Sequence, residues 1–176
     1  KTFLKALRRY ANRRSPKLDD QCFFLKEVNG YVFASKVSIE ADLKGIEFDC
    51  VAGLDAMGFV LGAGLAARLN KGFLPIRKAG KLCVDTDKVS YGNYSGRTQD
   101  MEMRTPAFAP GTRVLLADQW VETGGTMAGA IELVERQQGV VAGILAIAIE
   151  ENEATEQYRR RFPCVSAVVP GSRWQT

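Results

Sequence analysis

The stretch Val114–Thr126 reads Val-Leu-Leu-Ala-Asp-Gln-Trp-Val-Glu-Thr-Gly-Gly-Thr and concentrates the groups best able to do chemistry. Its apolar opening predicts a buried parallel strand, which sets Asp118 at the strand's carboxyl end, where α/β sheets place ligands. Thr123-Gly124-Gly125-Thr126 then opens a helix. Two glycines let the backbone approach a ligand closely. The free N–H groups and dipole of a helix start favour an anion, phosphate above all. The threonine hydroxyls add donors. Phosphate in this cradle and ring hydroxyls on Asp118 make a sugar phosphate the ligand that suits the segment. A glycine-rich strand-to-helix turn without a ligand is the plainer alternative.

Composition narrows the chemistry further. The chain of 176 residues contains no histidine, which removes Ser-His and Cys-His nucleophilic sites and zinc sites built on histidine. Acid–base work falls to carboxylates, Lys, Tyr or Cys. The net charge of +4 suits anionic partners such as phosphorylated substrates. Cys22, Cys50, Cys83 and Cys164 have no metal-like spacing and read as reduced thiols of a cytoplasmic protein. No apolar run approaches the roughly 18 residues that would suggest a membrane span. The chain opens on Lys1 rather than Met, as a trimmed start would, and carries no secretory signal.

Strand–helix alternation must position these residues. Cys50–Gly53 reads as a short strand, Gly58–Asn70 as a helix and Phe73–Arg77 as the next strand. Lys78–Gln99 is polar and reads as a long functional loop, closed by a strand at Met101–Arg104. Val114–Asp118 is a strand, Thr126–Gln138 a helix, Val141–Ile149 a strand, Glu153–Arg161 a helix and Cys164–Val169 a final strand. Before this core, Lys1–Lys17 reads as a basic amphipathic helix that packs on the body or on a sister subunit. Cys22–Lys26 and Tyr31–Ala34 read as a hairpin around Asn29-Gly30, and Ser38–Lys44 as a short helix. The pattern predicts one α/β domain over residues 1–176 with a mainly parallel sheet. Its parts are an amino-terminal helix and hairpin segment (1–44), a core (45–150) and a carboxyl-terminal segment (151–176).

Val114–Thr126 resembles the phosphoribosyl-pyrophosphate signature of type I phosphoribosyltransferases. Val51-Ala52-Gly53-Leu54-Asp55-Ala56-Met57-Gly58-Phe59 resembles the pyrophosphate loop of the adenine enzymes in that family, and Leu74-Pro75-Ile76-Arg77-Lys78-Ala79-Gly80-Lys81-Leu82 the start of their flexible loop. The resemblance implies a parallel sheet flanked by helices with a small hood over the base. It implies that Thr123, Gly124, Gly125 and Thr126 bind the 5-phosphate, that Asp118 and Gln119 meet the ribose, and that Asp55, Ala56 and Met57 lie in the pyrophosphate loop. Arg77 and Lys81 would meet pyrophosphate oxygens, and Phe24, Leu25 and Val121 would contact the base. The implied partners are 5-phosphoribosyl-1-pyrophosphate (PRPP), a purine and Mg²⁺ held mainly by PRPP rather than by a protein cage, in a homodimer. Neither a membrane nor nucleic acid is an expected partner.

Departures from the family pattern keep other functions open. Gln119 stands where the signature carries a second acid, and Met57 where the pyrophosphate loop carries Arg. Ser90-Tyr91-Gly92 and Tyr94-Ser95-Gly96, the nearest matches to the family's loop motif, both lack its Glu. Glu122 occupies the position of the acidic residue that faces the purine in hypoxanthine–guanine enzymes, which implies handling of a base proton; a surface Glu in a first helical turn is the plainer reading. Trp120, where the family has an aliphatic residue, reads as packing. Lys88–Gln99 is also similar to the phosphoribosyltransferase-like domain of bacterial purine repressors. The first expectation is therefore a purine phosphoribosyltransferase, with adenine the leading base. A non-catalytic sensor of PRPP or a nucleotide, or a transferase for another nitrogenous base, are the alternatives.

Overall fold

Consecutive apolar residues at 50–54 and 114–117 predict strands buried on both faces, and the computed structural model, described here over residues 23–24, 33–34, 43–92 and 98–168, places them at the centre of one sheet. The sheet's parallel part comprises β3 (Cys50–Leu54), β4 (Gly72–Lys78), β7 (Arg113–Val121), β8 (Val140–Ile149) and β9 (Cys164–Val168). Two further strands, β5 (Thr86–Gly92) and β6 (Thr98–Arg104), join β4 in antiparallel fashion, so the order is β5-β6-β4-β3-β7-β8-β9. The sheet is thus mixed, seven strands flanked by helices, rather than parallel throughout.

The side-chain period of two divides the core. Cys50, Ala52 and Leu54 of β3 and Leu116 of β7 pack with α2 (Gly125–Arg136), whereas Val51, Leu115 and Ala117 pack on the other face with α1 (Met57–Arg68). Leu115 and Leu116 are both fully buried, each contributing on the order of 1.5–3 kcal/mol through the area removed from water. Helix α3 (Glu153–Arg161) adds Tyr158 to the α2 side.

Two expectations change. The long polar loop is mostly a hairpin: β5 and β6 pair from Thr86↔Arg104 to Gly92↔Thr98. Its pattern is hard to read because β5 buries only Val89 and Tyr91, at alternate positions among polar residues. Strand β7 also runs past Asp118 to Val121, held by β8 through Trp120↔Ala148 and Val121↔Ile149. Its pairing with β3 stops at Gly53↔Ala117, so Asp118 marks the point where β7 loses one neighbour and keeps the other. The amino-terminal hairpin is present as β1 (Phe23–Phe24) against β2 (Phe33–Ala34), in register Phe24↔Phe33. Its turn at Asn29-Gly30, the basic helix at 1–17 and most of the short helix at 38–44 lie outside the described residues.

The start of α1 lies directly on β7. A Cβ built on Gly58 would sit 2.4 Å from the carbonyl oxygen of Ala117, closer than any packed side chain can approach. Gly58→Ala is expected to lift α1 off β7 and cost about 1–3 kcal/mol, as overpacking does. In a chain of this size that is a fall in Tm of roughly 2–4 °C per kcal/mol. Thermal unfolding checks it; an unchanged Tm would show that the helix stands clear of the strand.

Candidate functional site

The turn from β7 into α2 presents bare backbone. Its N-cap, Gly124, has φ 86°, a left-handed conformation that favours glycine, and no side chain caps the helix. The first N–H groups of a helix have no intrahelical acceptor, and here no side chain of the N-cap residue supplies one. Helix α3 shows the contrast: Asn152 accepts from the Thr155 N–H at 3.1 Å and closes a capping box. The same helix fixes the turn from behind. The Tyr158 hydroxyl donates to the Gly124 carbonyl at 2.8 Å and Asn152 Nδ2 to the Glu122 carbonyl at 2.6 Å. Burial raises the Tyr158 phenol above its usual range, so it stays a donor. In front, β5 ends against the turn: a Cβ on Gly125 would lie 1.9 Å from the Gly92 carbonyl oxygen. Thr123 and Glu122 are exposed, Thr126 half-buried.

Asp118 is half-buried just beyond the carboxyl end of β3, with the Gln119 N–H donating to its Oδ1 at 2.7 Å. Burial pushes its carboxyl up to about 7, and the Gln119 amide only partly opposes this. The Tyr91 hydroxyl donates to Gln99 Oε1 at 3.2 Å. Burial, and then the charges of Asp118 and Asp55, raise the Tyr91 phenol, which puts that ring in the field of both carboxylates. Trp120 packs with Met57, Leu61, Ile147 and Ala148 and donates from Nε1 to Glu150 Oε1 at 3.0 Å.

A second uncapped helix start lies alongside. Helix α1 begins after Ala56 with no side-chain cap, and the Asp55–Ala56 peptide is cis. Arg77, on β4, donates from Nε to Asp55 Oδ2 at 3.4 Å and from Nη1 to the Lys81 carbonyl at 3.3 Å. Its guanidinium also sits 5.8 Å from the Phe59 ring centroid. Residues 79–85 are gathered by Glu102, a carboxylate only 1% exposed, whose Oε1 accepts from the Lys81 and Leu82 N–H groups at 2.7 Å each. Its Oε2 accepts from Thr86 Oγ1 at 3.2 Å. Burial would raise Glu102, but the amides at Gly80, Leu82 and Lys81 and the Thr86 hydroxyl outweigh it and hold the acid at about 2.

The structure therefore places Asp118 and Gln119 near the end of β7, just before the Thr123–Thr126 turn, and Asp55, Ala56 and Met57 at the start of α1, with Arg77 of β4 reaching Asp55 and the Lys81 carbonyl. Val121 is buried and packs in the core, with its carbonyl taken by the Glu150 N–H at 2.9 Å. Phe24 lies in β1, and Leu25 is outside the described residues. Sequence reasoning missed Glu102, Asn152, Tyr158 and Glu150. Asn152 had a signal, a capping residue opening a polar helix; Glu102, between two methionines, had none. Among the described residues no group of three or more His, Cys, Asp or Glu could hold a metal. A cavity of about 480 Å³, lined by Leu43, Phe48, Leu69, Lys71 and Arg113 among others, opens at the amino ends of β3 and β7, away from Asp118.

Comparison with known proteins agrees with this arrangement. Residues 27–169 match the model of the phosphoribosyl transferase domain. The adenine phosphoribosyltransferase of Neisseria meningitidis serogroup C is 48% identical over 101 residues, covering 57% of this chain and 53% of that protein. The one from Bifidobacterium longum subsp. infantis is 38% identical over 130 residues, covering 65% and 67%. The matched stretch spans about half the length of the first such relative. The crystal structure of the adenine phosphoribosyltransferase from Thermoanaerobacter pseudethanolicus superposes with TM-score 0.67 at 33% identity, over 73% of this chain and 74% of that one. The Saccharomyces cerevisiae enzyme, complexed with an imino-altritol bisphosphate and adenine, gives 0.64 at 29% identity, over 76% and 74%. Among the described residues, no helix is long and apolar enough to cross a membrane.

The Asp118 carboxyl is expected to titrate near pH 7 in the ligand-free fold. An unfolded aspartate releases its proton near 3.9, so between about pH 4 and 7 the native state binds more protons. This contribution to stability is full below about pH 4 and is lost as pH rises through about 7. Denaturant unfolding across that window should show the decline, and Asp118→Asn should remove it. An Asp118 carboxyl titrating near 4 by NMR would show the site to be wetter than its packing implies.

Proposed function

The chain belongs to the phosphoribosyl transferase domain family, and from that premise we propose that it transfers the phosphoribosyl group of PRPP to a purine nitrogen, adenine first, releasing pyrophosphate. The observation that carries this reading is the β7–α2 turn. An uncapped, glycine-formed helix start stands a few residues from one half-buried carboxylate, and a second uncapped helix start lies beside it with Arg77. The adenine relatives support the choice of base.

In this reading the amides and hydroxyls of Thr123–Thr126 hold the 5-phosphate, and Asp118 accepts hydrogen bonds from ribose hydroxyls. Those bonds favour its charged form and draw its proton off on binding. As the bond from C1 to the pyrophosphate oxygen breaks and that to the base nitrogen forms, positive charge develops on the sugar. The Asp118 carboxylate and Gln119 amide oxygen face that charge. Arg77, Lys81 and the amides at the start of α1 take the departing pyrophosphate. Mg²⁺, held mainly by PRPP, would find Asp118 and Gln119 as its nearest oxygen donors in the chain and would offset phosphate charge there. Glu122, exposed at the mouth of the turn, accepts the proton the base nitrogen gives up. We assign the reaction to a single domain acting in the cytoplasm as a homodimer.

Met57 and Gln119 favour one other reading, a sensor that binds PRPP without turnover. Where the family pattern carries a cation and a second acid, this chain has an apolar group packed against Ile147 and Ala148, and an amide. Incubation with Mg²⁺, PRPP and each common base separates the two, since pyrophosphate release with any base supports transfer, and tight PRPP binding without release supports the sensor. For the transferase, Asp118→Asn should lower kcat/KM by about 10²–10³-fold and Glu122→Gln should lower kcat by about 10²-fold or more. Turnover that survives Glu122→Gln would leave that residue as a surface acid.

A further inference from the structure

Glu102 is the strongest feature that the reaction itself does not use. It sits in the middle of β6, opposite Arg77 of β4 on one side and Lys88 of β5 on the other. Directly paired residues share a face of the sheet, so the rung alternates cation, anion, cation. Lys88 Nζ comes within 4.0 Å of Glu102 Oε2. Arg77 does not close on Glu102; it reaches forward to Asp55 and to the Lys81 carbonyl. Glu102 instead spends one oxygen on two backbone amides of the connection between β4 and β5, those of Lys81 and Leu82. A carboxylate this deep is normally excluded from a strand unless every lone pair has a task. Here the task is to fold the connection onto the rung. Three links then join in series: Glu102 to the Lys81 amide, the Lys81 carbonyl to Arg77, and Arg77 to Asp55 at the start of α1.

We propose that Glu102 is the positioning residue for the pyrophosphate end of the site, its buried carboxylate setting the 79–85 backbone so that Lys81 and Arg77 stand beside the Asp55–Met57 turn. The inference rests on the transferase or sensor reading for its ligand, but the loop geometry stands apart from it. Glu102 touches no substrate. It acts through Lys81 and Arg77, replacing the entropy a free loop would lose on binding.

Because Lys81 and Leu82 share one oxygen, glutamine can keep both bonds through its Oε1 and offer its amide N–H to Thr86. Aspartate, one methylene shorter, cannot reach them. Full-length Glu102→Gln, Glu102→Asp and wild type are compared for PRPP binding and, where turnover occurs, for KM of PRPP against KM of the base and kcat. Amide hydrogen exchange at Lys81 and Leu82 is measured alongside. Glu102→Asp is expected to weaken PRPP by about tenfold to a hundredfold with the KM for base unmoved, and to lose protection at both amides. Glu102→Gln is expected to stay within a few-fold of wild type on every measure. Wild-type affinity and amide protection in Glu102→Asp would overturn the proposal. So would parallel losses of PRPP and base affinity in proportion to a lowered Tm, the mark of a purely structural group. A wild type that binds no PRPP would defeat the function proposed above, while the exchange comparison would still decide whether Glu102 sets the loop.

Discussion

The contact on which the site depends is backbone against backbone, where the first turn of α1 rests on β7. With no Cβ at Gly58, the helix start comes down beside Ala117, the residue before Asp118. That single approach puts two strand-to-helix turns side by side. One leaves β3 and carries Asp55 and Ala56; the other leaves β7 and carries Asp118 and the Thr123–Thr126 cradle. Both helices begin without a side-chain cap, although α3 shows that this chain can cap a helix fully. Two helix starts without side-chain caps at the carboxyl ends of β3 and β7 bring two positive dipole ends together, although the Phe59 N–H is taken by the Ala56 carbonyl. That suits a ligand with phosphates at both ends.

The charges around these turns are arranged by burial more than by number. Asp118 lies where β7 has lost β3 as a neighbour but keeps β8, so one flank is packed and the other opens on the site. Packing raises its carboxyl to about 7, and it holds a proton until something offers hydrogen bonds or positive charge. Glu102 is more deeply buried, yet is driven the other way because backbone amides converge on it. The two acids illustrate the rule that desolvation raises a carboxyl and directed donors lower it. The first is poised for an incoming ligand, the second fully occupied by the protein.

How much of this was legible from the chain depended on whether a residue's task was local. The β7–α2 turn could be read because its apolar run and glycine pair act within a few residues of each other. The same holds for α3, whose predicted and observed limits coincide at Glu153–Arg161. The β5–β6 hairpin was hidden, since Val89 and Tyr91 are the only buried residues on β5 and polar alternation around two apolar positions resembles a loop. Asp118 was expected at the end of its strand, but the register that carries β7 on to Val121 is set by β8, far along the chain. Glu102, Asn152 and Tyr158 act across the sheet or between helices, and no spacing along the chain announces such contacts.

Two of the departures from the family pattern, Met57 and Trp120, meet one apolar cluster. Both pack, with Leu61, against Ile147 and Ala148. A long charged side chain at 57 would have to leave that cluster. Without a cation at Met57, the positive charge that the proposed reaction would need for a departing pyrophosphate would come from β4 and the connection after it. Arg77 and Lys81 stand there, and both are tied to the Glu102 rung directly or through one carbonyl. Weak bonds at 3.3–3.4 Å hold Arg77 at present, so a phosphate could take it over at little cost, whereas the two 2.7 Å bonds beneath it would persist. A firm base under a loosely held cation is what a site needs if it must grip an anion and then release it.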